Sequence, residues 1–152
     1  MVNLNKYLTL AISLFLILVN VFLQHYYAPV GILLSIPICI VAIGLLNINK
    51  QSFNIIFKSF LCFLLIGIND VGIKLYSGGI HDSEGQGVVN LVLFVCLGIG
   101  FLMLLISNFN KAVIARYIVS LTIFVLLAAM HLSFFGGLGL GRSYPILYNI
   151  TT

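Results

Sequence analysis

Five apolar stretches, each close to the roughly 20 residues a helix needs to cross a hydrocarbon layer, take up most of the chain. They run from about Tyr7 to Gln24, Val30 to Leu46, Asn54 to Leu75, Val88 to Ile106 and Ala112 to Phe135. Tyr26-Tyr27-Ala28-Pro29 joins the first two, a link tight enough to make them an antiparallel hairpin. Asn47 to Ser52 forms the next turn, a Gly-rich segment from Ser77 to Gly87 the third link, and Ser107 to Lys111 the last.

Composition removes the alternative of core helices in a water-soluble protein. Of 152 residues, 62% are hydrophobic and 7% charged. A soluble domain carries about 25% charged residues, so this chain cannot cover a water-facing surface. The expected fold is an all-α integral membrane protein: one domain over residues 1–152, a bundle of five transmembrane helices. The run after Lys6 resembles a secretory signal in length, but it continues Leu23-Gln24-His25-Tyr26-Tyr27-Ala28-Pro29 with no small-x-small cleavage pattern. An uncleaved first span is expected.

Orientation follows from Lys and Arg in the short links. With the N-terminus inside, Lys6, Lys50, Lys58, Lys111 and Arg116 lie on the cytoplasmic side and only Lys74 and Arg142 on the other. The expected arrangement is a cytoplasmic N-terminus and an extracytoplasmic C-terminus, in a cell membrane of the bacterial inner-membrane kind. The third span is the pivot, with Lys58 near one end and Asn69, Asp70 and Lys74 near the other. Both lysines are expected to snorkel to opposite interfaces; a re-entrant third span would invert every later assignment. The cations are scattered singly, which argues against nucleic acid as a partner. Cys39, Cys62 and Cys96 each fall mid-span, where packing is expected and a disulfide framework is not.

In this topology all three acids (Asp70, Asp82, Glu84) and all three histidines (His25, His81, His131) lie at or beyond the outer interface, joined by Lys74 and Arg142. His81, Asp82 and Glu84 share one link and count as a single placement. Asp70 is the most informative residue: a carboxylate at mid-span costs about 2.5–3.5 kcal/mol on insertion scales, and less near the surface. Lys74, four residues on, shares its helical face. The pair reads equally as a packing ion pair and as a contact for substrate, ion or proton. His131, in Ala128-Ala129-Met130-His131-Leu132, reads as bonded to a neighbouring helix or headgroups, or as a partner of Asp70 in a relay or general base.

The segment from Ser77 to Gly87 reads as a solvated loop. With His25 and His131 added, His81, Asp82 and Glu84 would also offer enough nitrogen and oxygen for zinc or manganese, although no helical ligand spacing supports it. Gly136-Gly137-Leu138-Gly139-Leu140-Gly141-Arg142-Ser143 reads as a flexible exit, or as a cradle presenting Arg142 to a lipid phosphate. Asn20, Ser35, Ser59 and Ser120 read as helix–helix contacts, Gly98 and Gly100 as sites of close approach, and Pro37 as a mid-span kink.

Three functions remain open on these residues. The first is a non-enzymatic accessory protein binding lipid, a membrane-protein partner or its own copies through the outward polar cluster: Asp70, Lys74, His81, Asp82, Glu84, His131 and Arg142. The second is an outward-facing intramembrane enzyme acting on a lipid or lipid-linked substrate, with Asp70, His81 and His131 as catalytic candidates and a metal as possible helper. The third is a proton- or ion-coupled transporter using Asp70 and Lys74. No motif names a cofactor.

Overall fold

The computed structural model describes residues 5–27, 29–48, 53–76, 83–108 and 114–138. These form α1 (Lys6–Tyr26), α2 (Val30–Ile48), α3 (Ile55–Tyr76), α4 (Ser83–Asn108) and α5 (Ile114–Phe135), with no strand among the described residues. All five helices are long and apolar enough to cross a membrane.

Local chemistry sets several ends. The Asn5 side chain accepts the Tyr7 N–H at 3.0 Å and opens α1, and Asn54 does the same for Ile56 at 3.2 Å ahead of α3. Tyr27 closes α1 by donating its N–H to Leu23 at 2.8 Å. Pro29, which has no N–H to lose, stands just before α2. Residues 136–138 turn away from α5, with Gly136 N–H on the Leu132 carbonyl at 3.0 Å.

The helices alternate in direction. At one end Tyr7 meets Phe53 and Ser107 Oγ donates to Asn47 Oδ1 at 2.9 Å. At the other, Gln24 meets Ile32, Lys74 meets Phe135, and Gln86 meets Gly136. The central helix is α3, which packs against all four others. Around it, α1 packs on α2, α2 on α4 and α4 on α5, but α1 and α5 do not touch. The ring is therefore open on one side.

In α1 polarity is inverted relative to a water-soluble bundle. The buried face of α1 consists of Thr9, Ser13, Ile17, Asn20 and Gln24, four of them polar and spaced three or four residues apart. Its outward face carries Phe15 (64% exposed) and Phe22 (63%), and elsewhere Leu33 and Ile106 stand 72% and 79% exposed. A soluble helix does the reverse. Buried polar side chains find partners across helices: Ser13 donates to the Ala42 carbonyl at 2.8 Å, and Ser59 and Ser120 share a hydrogen bond between α3 and α5. The apolar core, centred on Ile17, Ile43, Leu65, Ile66, Leu104 and Phe124, includes free, buried Cys39, Cys62 and Cys96.

Gly31 is required where α1 and α2 cross: a Cβ there would stand 2.3 Å from Gln24 Cβ and 2.8 Å from the Asn20 carbonyl oxygen. Gly100 likewise meets Ile66 and Phe124, but Gly98 has nothing within 4 Å, so only one of the two expected α4 glycines marks a close approach.

Two further expectations are corrected. The third link is shorter than the sequence implies, because α4 begins at Ser83 and makes Ser83 to Gly87 helical. Glycine propensity is a weak prior that tertiary contacts override; here Gln86 ties the first turn of α4 to the Gly136 carbonyl. Lys74 does not snorkel. Its side chain is fully buried, because Asp70 and the Phe135 carbonyl satisfy the ammonium inside the bundle. Lys58 is buried as well.

Candidate functional site

Two adjacent residues of α3, Asn69 and Asp70, organise the polar interior. Asn69 faces the α1–α2 hairpin. Asn20 Nδ2 donates to Asn69 Oδ1 at 2.7 Å, to the Gly31 carbonyl at 3.0 Å and to Ser35 Oγ at 3.1 Å. Asn69 Nδ2 donates back to Ser35 Oγ at 3.0 Å, and Ser35 Oγ to the Gly31 carbonyl at 2.7 Å. One amide cluster thus joins α1, α2 and α3. A turn further along α1, Gln24 Oε1 accepts the Ile32 N–H at 3.0 Å, sharing that first-turn donor of α2 with the Pro29 carbonyl at 3.1 Å.

Asp70 faces α5. Its Oδ2 accepts from Lys74 Nζ at 2.8 Å and meets His131 Nε2 at 2.8 Å. Lys74 Nζ also donates to the Phe135 carbonyl at 3.0 Å. That carbonyl, at the C-terminus of α5, also accepts the Leu138 N–H at 3.1 Å, and a cation there favours the helix dipole. Next to it, the Gly136 carbonyl accepts from Gln86 Nε2 and, at 3.0 Å, from Asn90 Nδ2. Side chains of α3 and α4 thereby close the end of α5. The His131 ring is steadied by Phe63, edge-on at 5.8 Å, and Phe135 at 5.1 Å.

Asp70 Oδ1, the other carboxylate oxygen, is buried without a hydrogen-bond partner. Asp70 and Asn69 border a cavity of about 10 Å³ between α3 and α4, walled by Ile73, Val89, Leu93 and Cys96. That is the scale of one water molecule.

A much larger recess lies where the ring is open. A groove of about 520 Å³ runs between α1 and α5 with α3 as its floor, lined among others by Leu18, Val21, Leu64, Gly67, Leu127 and Met130. His131 is the single polar residue on its wall. The imidazole therefore stands between the buried carboxylate and the groove.

Of the residues singled out in the sequence, the structure brings together Asp70, Lys74 and His131. His25 is exposed at the end of α1, edge-on to Tyr26. Glu84 lies in the first turn of α4, but its side chain, His81, Asp82 and Arg142 fall outside the described residues. No group of three or more metal-ligating side chains forms among the described residues. Gln24, Gln86 and Asn90 were not singled out by sequence. Their signal was available: an amide inside a span must find a partner within the bundle, and Asn20/Gln24 and Gln86/Asn90 each repeat at four residues. No protein-family model, curated protein or solved structure matches the chain.

Proposed function

We propose that this chain is a five-span membrane protein, N-terminus cytoplasmic and C-terminus extracytoplasmic, that acts as a non-enzymatic lipid-binding accessory subunit. Insertion is supported by the inverted polarity of the helices, since only hydrocarbon outside favours Phe15, Leu33 and Ile106 there and Ser13, Asn20 and Gln24 within. The orientation rests on the cation count, five against two.

The observation that carries the lipid-binding reading is the groove. The polar groups of the interior are largely occupied in joining helices to each other, whereas the α1–α5 gap offers an apolar recess of about 520 Å³ open to the side. Ligand sites commonly hold roughly 300–1,000 Å³. A flexible hydrocarbon chain, able to follow an apolar recess of this size, is the occupant that suits it.

The test is purification in mild detergent with identification of retained lipids, comparing the native chain with Leu18→Trp/Leu127→Trp, which narrows the groove from both walls. The reading expects a stoichiometric lipid on the native protein and its loss from the variant. Identical lipid content in both would overturn it.

One observation favours a second reading. A histidine held by a buried carboxylate, with its other ring edge toward a substrate-sized recess, has the layout of a general base. An outward-facing enzyme acting on a lipid would use Asp70 to orient His131. Turnover of a lipid lost in His131→Gln, with binding retained, would select this reading.

A further inference from the structure

We infer that the groove selects amphiphiles whose apolar chain ends in a hydroxyl group, and that His131 Nδ1 accepts that hydroxyl's proton in a hydrogen bond. This rests on the reading of the groove as a lipid site and specifies its ligand class.

Three observations converge. First, Asp70 and Lys74 form an ion pair at 2.8 Å, so Oδ2 is a carboxylate oxygen and can only accept. The hydrogen shared with His131 at 2.8 Å therefore sits on Nε2, and in the neutral imidazole the acceptor is then Nδ1. Lys74 already balances the Asp70 charge, so the neutral ring completes a cluster with no net charge, the arrangement a low-dielectric interior favours. Second, the Nδ1 edge faces the groove floor. A Cβ placed on Gly67 would lie 3.6 Å from both Nδ1 and Cε1, so the glycine leaves that edge uncovered. No group among the described residues bonds Nδ1. Third, the rest of the groove lining is apolar, and a ligand's polar terminus has this one partner there. A site with a lone acceptor takes a donor; a ligand bearing only an ether or ketone oxygen would leave two acceptors facing each other.

A hydroxyl at the end of an apolar body occurs in polyprenols and in diacylglycerols, and the probes distinguish these sources. Saturable photocrosslinking of the purified full chain would use a diazirine-bearing prenol and a diazirine-bearing diacylglycerol, each beside its methyl ether, with a ketone of matched length. The expected result is about tenfold tighter binding of at least one alcohol over its ether, the span of one hydrogen bond in an apolar site. His131→Phe keeps the ring's bulk and removes the Nδ1 acceptor, while Asp70 retains Lys74, so it should abolish the preference while retaining the ether's affinity. Gly67→Ala, whose methyl makes only ordinary contact with the ring, should cover Nδ1 and do the same without disturbing the fold.

Equal binding of alcohol and ether, a tighter ketone, or a preference that survives both substitutions would overturn the hydroxyl assignment while leaving the groove as a lipid site. Failure of every probe to bind saturably would instead overturn the groove reading itself.

Discussion

His131 Nε2 lies 2.8 Å from Asp70 Oδ2, joining α5 to α3 across 61 residues of sequence. Lys74 sits at the same distance from the same oxygen and also caps the Phe135 carbonyl. One carboxylate oxygen thus fixes two side chains and, through them, the end of a helix. Breaking such a buried pair from one side leaves an uncompensated charge, which costs about 3–5 kcal/mol. Removing both charges together costs much less.

Asp70→Asn should therefore lower unfolding stability in detergent by about 3–5 kcal/mol, because Lys74 remains buried without its counter-charge. The double variant Asp70→Asn/Lys74→Met should recover much of that loss. Denaturant titration of both proteins checks this. A double variant as unstable as the single one would mean the pair does not share one site.

The amide cluster should weigh less. Interhelical hydrogen bonds in membranes average about 0.6 kcal/mol and reach about 1.7. Asn20→Ala, which removes the donor to Asn69, Ser35 and Gly31, should fall in that range and well below Asp70→Asn in the same titration.

Glycine substitutions should separate by place. At Gly31 a methyl meets Cβ of Gln24 and the Asn20 backbone, so Gly31→Ala forces α1 and α2 apart and should cost about 1–3 kcal/mol. Gly98→Ala enters open space and, with the better helix propensity of alanine, should be neutral or slightly stabilising. Melting temperatures of the two variants provide the comparison.

Topology can be read with added cysteines, since Cys39, Cys62 and Cys96 are buried and should give little background. A cysteine at exposed Tyr27 should react with an impermeant maleimide added to whole cells or spheroplasts. One at exposed Ile114 should react only after lysis. The reverse pattern would invert the orientation.

The helices and their alternation were legible because five apolar runs with short links admit few other arrangements. The Asp70–Lys74 pair was legible too, since a four-residue spacing decides it locally. Its depth was not: whether Lys74 snorkels depends on the Phe135 carbonyl, brought there by α5 from 61 residues away. The same limit hid the contact of His131 with Asp70, which depends on how α5 packs on α3. Ser83 to Gly87 misled because two glycines and two charged or hydroxyl side chains suggest a loop, whereas the Gln86 contact that holds them helical is non-local. The groove had no sequence signal, being the product of two helices, α1 and α5, that fail to meet.

The chain contains no Trp, so a single introduced one reports its own surroundings. Met130 lines the groove, whereas Leu126, 58% exposed on the same helix, is not part of it. In vesicles of excess unlabelled phospholipid, small amounts of a brominated long-chain alcohol should quench Met130→Trp along a saturating curve and Leu126→Trp only in proportion to concentration. Superimposable, unsaturating curves at the two positions would contradict a lipid-binding groove.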